Sequence, residues 1–212
     1  ALTTTASILK KTIWLERVDR ADKEYDGSAD YTVRGEVFEG LLPGVTLTRG
    51  VDYDIAGYFP DADADETDQT VDVFVTYIKN ENTKNYCLSI PNGKYTFPGW
   101  ARILKQPHAN AAARLDAYYG GSGAADLSGL LVERGTAAVY AVEGDTAILT
   151  AYSLGADTVL HAAAVNDRAK IGASATVRVL VTSVNYADYF IDVTVTVSDK
   201  ENVTISGLTY TD

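Results

Sequence analysis

The chain has 212 residues, is 46% hydrophobic and carries a net charge of −11. That length fits two domains of about 100 residues better than one, and the hydrophobic content excludes a disordered chain. The acidic balance, with no Lys/Arg cluster to offset it, excludes nucleic acid and anionic membrane surfaces as partners, and no apolar run approaches the ~20 residues of a membrane span.

Val, Thr, Tyr and Ala dominate, and long Leu/Glu/Lys-rich periodic stretches are absent, which favours strands. The single Cys87 has no intrachain disulfide partner. It sits in Tyr86-Cys87-Leu88-Ser89-Ile90, where a free thiol is expected to act as a small buried hydrophobe. A catalytic thiol needs a basic partner, and His108 and His161 fall in no pairing motif. Ala1-Leu2-Thr3-Thr4-Thr5 lacks the features of a signal peptide. The chain has no Met and stops at Leu208-Thr209-Tyr210-Thr211-Asp212, so a piece of a longer protein is expected.

In the first half, strand signals occur at 8–18, 31–33, 45–48, 52–59, 70–78, 86–90 and 94–104. Asp26-Gly27, Gly40-Leu41-Leu42-Pro43-Gly44 and Pro91-Asn92-Gly93 are turn signals between them. Across 70–78, Val71, Val73, Val75 and Tyr77 alternate with Asp72, Phe74, Thr76 and Ile78. The second set is partly apolar, which predicts a central strand covered on both sides. Trp14 and Trp100 are expected in the core. Tyr25 and Tyr53 are expected to pack with their hydroxyls bonded to backbone.

Gln106-Pro107-His108-Ala109-Asn110 marks a boundary. Residues 109–119, with Ala111-Ala112-Ala113-Arg114-Leu115, are the one plausible helix, or else an extended linker, and Gly120-Gly121-Ser122-Gly123 is expected to be flexible. Strand signals return at 130–132, 138–142, 146–152, 159–162, 175–182 and 188–197. The last two predict a long terminal hairpin of an immunoglobulin-like module. Val203-Thr204-Ile205-Ser206-Gly207 leads outward.

Four segments carry a resemblance: Ala21-Asp22-Lys23-Glu24-Tyr25-Asp26-Gly27-Ser28, Phe38-Glu39-Gly40-Leu41, Leu47-Thr48-Arg49-Gly50-Val51-Asp52-Tyr53 and Lys84-Asn85-Tyr86-Cys87-Leu88. In order and spacing, across 8–105, they resemble the YDG repeat module. Such modules occur in tandem in large surface and adhesin-like proteins of bacteria, notably gut Firmicutes, beside mucin-binding-type and bacterial immunoglobulin-like repeats. Residues 181–200 resemble the closing segment of repeats from such proteins. Cys87 departs from the pattern, where Thr is more usual, and 109–168 is unmatched. The family has no agreed catalytic residues to carry over. The expected fold is all-β, with two tandem immunoglobulin-like β-sandwich modules; a β-grasp is the alternative for the first. The expected divisions are 1–106, 107–204 and the start of a linker at 205–212.

Among candidate sites, Asp61, Asp63 and Asp65 space carboxylates as a Ca²⁺ loop does. An EF-hand needs Gly and Glu where Glu66 and Asp72 stand, so a loosely held Ca²⁺ or a solvated acidic loop are the two expectations, and no other cofactor is expected. Tyr118 and Tyr119 beside Gly120-Gly121 form a candidate exposed aromatic platform for a ligand. No carboxylate pair lies in an apolar context suited to glycoside hydrolysis, no nucleophile elbow is present, and Gly-rich phosphate loops are absent. A Lys–Asn cross-link at Lys10 or Lys11 would need a buried acid beside it. The resemblance implies a non-enzymatic, extracellular stalk or adhesion module of a bacterial cell-surface protein. Its partners would be neighbouring modules and host glycan or mucin, with no nucleic acid and no membrane insertion. An accessory domain of a secreted carbohydrate-active enzyme is the further alternative.

Overall fold

A computed structural model describes residues 8–199. The chain divides into two compact units between Gln106 and Pro107. Both are built of strands, and the only helical turns among the described residues are three short 3-10 segments. The expected linker at 203–207 lies outside the described residues.

The first unit contains β1 (Lys11–Arg17), β2 (Lys23–Glu24), β3 (Asp30–Tyr31), β4 (Val37–Glu39), β5 (Tyr53–Tyr58), β6 (Asp65–Tyr77), β7 (Tyr86–Leu88) and β8 (Lys94–Leu104). They form a three-stranded sheet β4-β1-β7 and a five-stranded sheet β2-β8-β6-β5-β3. Pairing is mostly antiparallel, but β1 runs parallel to β7 and β2 parallel to β8. Leu15 of β1 meets Ile55, Val71, Val73, Val75, Tyr95 and Ile103 of the larger sheet in one core. The unit is therefore sandwich-like. Full burial of each such aliphatic side chain contributes about 1.5–3 kcal/mol relative to exposure. No helix crosses the five-stranded sheet among the described residues, and a β-grasp requires one, so that alternative is set aside.

Parity decides several local outcomes. Ile13 and Leu15 take the inward face of β1, so Trp14 faces outward, 39% exposed, its indole N–H donating to Glu16 Oε2 at 2.7 Å. Trp14 is thus no core residue, whereas Trp100 packs against the core. On β6, Val71, Val73 and Val75 are buried as the alternation predicts. The strand is central within its sheet, but its other face is open, with Phe74 37% exposed. Residues 45–48 form no strand; they are an irregular loop ending in a single bridge, Arg49 to Tyr53. The Pro91-Asn92-Gly93 turn needs its glycine. Gly93 has φ of +67°, and a Cβ there would lie 2.1 Å from the carbonyl oxygen of Val75.

The second unit contains β9 (Ala111–Tyr118), β10 (Ser122–Asp126), β11 (Thr136–Gly144), β12 (Leu149–Leu154), β13 (Val159–Ala164), β14 (Ser174–Thr182) and β15 (Tyr189–Ser198). Its sheets are β11-β14-β15-β9 and β10-β13-β12. The chain changes sheet between β9 and β10, again between β10 and β11, and twice more before β14. Val177, Val179, Ile191, Val193 and Val195 of one sheet and Leu160, Ala162 and Ala164 of the other share one core. β14 and β15 are adjacent and antiparallel over eight pairs.

Three expectations fail in this unit. Residues 109–119 hold β9, not a helix. Ala111, Ala113, Leu115 and Ala117 alternate inward against Ala112, Arg114 and Asp116, and the strand adds to β15 in parallel over eight pairs. Alanine is a strong helix former, but tertiary pairing overrides propensity. Ser122-Gly123 is likewise no flexible linker but the start of β10. A Cβ on Gly123 would sit 2.3 Å from the Asp116 carbonyl oxygen, so glycine lets β10 pass close to β9. The strand signal at 130–132 becomes the 3-10 turn Ser128–Leu130 and extended backbone after it.

That connection is tied down by Tyr189, which is 1% exposed. Its hydroxyl donates to Leu130 O at 2.7 Å and accepts from Val132 N at 3.1 Å. Tyr189→Phe is expected to destabilise the second unit by about 1–3 kcal/mol. Differential calorimetry would register this as a lower Tm for one transition with the other unmoved. Equal shifts in both transitions would refute it.

Candidate functional site

The Lys23-to-Ser28 segment is a structural clasp. β2 pairs with the end of β8, and Tyr25 N continues the contact by donating to Leu104 O at 2.8 Å. The chain then turns at Gly27, φ +80°. The Lys23 ammonium, 18% exposed, closes the turn by donating to Asp26 Oδ1 (2.6 Å), Ser28 O (2.9 Å) and Ser28 Oγ (3.1 Å). Asp26 Oδ1 also accepts from Ser28 N at 2.9 Å. Lys23 first, then the Ser28 N–H, hold the Asp26 carboxyl down at about 2. Each of Lys, Asp, Gly and Ser in this stretch thus has a mechanical task. A carboxyl with a depressed folded pKa contributes stability above its unfolded value, about 3.9, and loses it as pH falls toward 2. Because Asp26 is 58% exposed, the contribution is discounted to about 1 kcal/mol. Lys23→Met is expected to lower stability by that amount at pH 7 and to flatten the loss between pH 4 and 2, as urea titrations at a series of pH values would show.

The third resemblance segment, 47–53, is built on Asp52, which is 1% exposed. Its Oδ2 accepts from Thr48 N at 2.8 Å, and its Oδ1 accepts from Asn80 Nδ2 at 2.8 Å and Asn82 Nδ2 at 3.2 Å. These bonds, the Thr48 amide first, hold its pKa below the ordinary carboxylate value. Tyr53 is buried beside it, and its hydroxyl donates to Glu36 Oε1 at 2.9 Å rather than to backbone. Burial and that carboxylate push the phenol well above its ordinary range. Tyr25 is half-buried against the core.

The acidic run divides: Asp61 and Asp63 lie before β6, whereas Asp65 and Asp68 stand on β6 itself. Asp61 Oδ1 accepts from Asp63 N at 2.9 Å, and Asp65 Oδ1 accepts from Thr67 N and Oγ1 at 2.9 and 2.7 Å. Asp68 pairs with Arg20. Each Asx turn spends an oxygen on local backbone, and among the described residues no three acidic, His or Cys side chains converge as a metal group. Tyr118 and Tyr119 are half-buried, and Tyr119 packs against the second core. Arg102 donates from Nη2 to Asp22 Oδ2 at 2.7 Å and through its backbone N to Oδ1 at 3.0 Å. Burial opposes ionisation of Asp22, but the Arg102 bonds outweigh it and the pKa falls. Asp22, Asp26, Asp52, Asp65, Asp72, Asp126 and Asp192 are all held below the ordinary carboxylate value.

More exposed aromatics lie elsewhere, Tyr140 at 64% and Tyr152 at 48% among them. Tyr58 on β5 and Phe74 on β6 project from the outer face of the five-stranded sheet, 42% and 37% exposed. Their rings meet edge-to-face at 6.0 Å. They border a shallow hollow of about 350 Å³ that also touches Asp54 and Thr76. Asp72, bonded to Thr96 Oγ1 at 2.7 Å and to Lys94 Nζ at 2.8 Å, continues the polar surround, and the Lys94 ammonium lies 5.9 Å from the Phe74 ring centre. The outward parity of Phe74, between Asp72 and Thr76, was the available sequence signal. In comparisons with known proteins, the chain matches no family model and no curated protein sequence.

Proposed function

We propose that the chain is a non-enzymatic, extracellular segment of a larger bacterial surface protein. It joins a YDG-type module at 1–106 to an immunoglobulin-like module at 107–204 and serves as a load-bearing stalk. The observation that supports this reading most directly is the parallel ladder between β9 and β15. Among the described residues these are the first and last strands of the second unit, paired in register from Ala111–Ile191 to Tyr118–Ser198. Tension applied through the two ends of this unit pulls the strands along their own length in opposite directions. The ladder is then loaded in shear, and its hydrogen bonds share the force instead of opening one at a time. Pulling the chain from its two ends in a single-molecule instrument is expected to give one abrupt high-force event for this unit. Gradual opening at low force would refute a load-bearing role.

A second reading, adhesion to glycan, draws on Tyr58 and Phe74. Aromatic faces carry negative charge density and attract the C–H face of a sugar ring, while Asp54 and Thr76 offer hydrogen bonds at its edge. On a glycan and mucin array, run with Ca²⁺ and again with EDTA, Tyr58→Ala/Phe74→Ala is expected to lower any binding at least tenfold. Loss in EDTA with the double variant unaffected would assign binding to the Asp61–Asp63–Asp65 loop instead.

A further inference from the structure

A second cavity of the first unit, about 470 Å³, lies on the edge where β1, β6 and β7 meet. Its volume is in the range of small-molecule sites. Leu88 and Pro91 give it apolar wall, Tyr77 and Cys87 add a hydroxyl and a thiol, and Lys10 and Lys79 supply two ammonium groups. No Asp or Glu lines it.

Two features mark this cavity as unfinished. The Tyr77 hydroxyl is buried and has no hydrogen-bond partner, a costly state that buried polar groups seldom keep. Burial first, then nearby Tyr86 and Asp52, push its pKa up to about 12, so it remains a proton donor at neutral pH. The lysines are the second feature. Lys23, Lys84 and Lys94 of the same unit each hold a carboxylate. Lys10 and Lys79 hold none among the described residues, although the chain carries eleven more negative than positive charges. Two unneutralised cations and an idle donor beside apolar wall are complementary to an anion carried on an apolar or ring-shaped body.

We propose that this cavity binds a small organic acid, with its carboxylate or sulfate on Lys10 and Lys79, its ring against Leu88 and Pro91, and a hydrogen bond from Tyr77. The proposal stands on the cavity alone and not on the stalk reading. Two sources share this chemistry: acidic sugars, such as those that end glycan chains, and free aromatic acids.

Cys87, the only cysteine, lies in the cavity wall and reports on occupancy. The full chain would be labelled with N-ethylmaleimide in the presence of N-acetylneuraminic acid, galactose 6-sulfate or benzoate, with galactose and benzyl alcohol as neutral controls. Amide ¹⁵N shifts of residues 83–91 would be followed in parallel. An acid at ten times its Kd is expected to slow labelling about tenfold and to move those shifts, while the neutral compounds do neither. Protection by the sugars alone assigns an acidic glycan unit, and protection by benzoate alone assigns an aromatic acid. Lys10→Ala/Lys79→Ala removes two exposed side chains, leaves Tm unchanged and is expected to weaken binding by at least about tenfold. Tyr77→Phe is expected to weaken it severalfold without lowering Tm. Shifts and labelling that ignore all three acids, or an affinity that the lysine double variant leaves intact, would overturn the proposal.

Discussion

Asp52→Ala is expected to cost the first unit about 3 kcal/mol or more. The substitution removes the acceptor from Thr48 N, Asn80 Nδ2 and Asn82 Nδ2 at a site 1% exposed to solvent. Leaving a buried donor unsatisfied costs about 1–3 kcal/mol, and two of these donors belong to the loop that also carries Thr83. Thr83 is itself 2% exposed, and its hydroxyl donates to Ile78 O, so the loop is held at both ends. Removing the carboxylate therefore releases 48–52 from 78–83 together. Both tryptophans, Trp14 and Trp100, lie in the first unit, so their fluorescence during urea denaturation follows this unit alone. The pH dependence has a definite sign. Asp52 has a depressed folded pKa, so its contribution is complete above the unfolded value near 4 and declines as pH falls through the folded one. The wild-type chain should lose stability on acidification more steeply than Asp52→Ala. Parallel pH profiles would show that Asp52 is exposed to water and idle.

Ala113→Pro is expected to cost the second unit about 3 kcal/mol or more and to abolish its high-force event. Tyr119 N donates to Ser198 O at 3.1 Å. Counting back along β9 by twos, Ala113 also turns its N–H toward β15, in mid-ladder opposite Val193. Proline removes that donor and fixes φ, which a strand tolerates only where the N–H faces solvent. The neighbouring Ala112→Pro, whose N–H faces away from β15, provides the comparison. It should lose clearly less stability and keep most of the unfolding force. Equal losses from the two substitutions would mean that the ladder bonds do not set the mechanical strength.

The strands that were legible in the sequence are those whose burial alternates with a period of two. β14, β15 and the Val71–Val75 part of β6 each place aliphatic residues on one face, as a period of two requires. β9 was not legible, because alanine fits both a helix and the narrow space beside β15, and only the partner strand decides between them. Gly123 misled in the same way: its use as a point of close approach depends on Asp116 in another sheet. The resemblance segments marked the places where side chains lock backbone, through Lys23 and Asp52, but not where a ligand has room. Tyr118 and Tyr119 are adjacent in sequence, yet both are half-buried. Tyr58 and Phe74 are a ring pair that does meet on open surface, brought together across two strands by register. The cavity at Tyr77 and Cys87 collects wall from three separate stretches, and no local pattern encodes it.

The β9–β15 ladder also bears on how the second unit acquires its structure. Asn110, just before β9, bonds Phe190, 80 positions later in the chain. Contacts so distant in sequence slow folding, because a long loop must close before pairing repays its entropy. As the chain emerges from a ribosome, β9 appears first and must wait for almost the whole unit to follow. During that interval its inward face of Ala111, Ala113, Leu115 and Ala117 has no partner in β15. Small side chains at three of these four positions leave little apolar surface for stray association, so the composition that hid the strand from view also suits it to the wait.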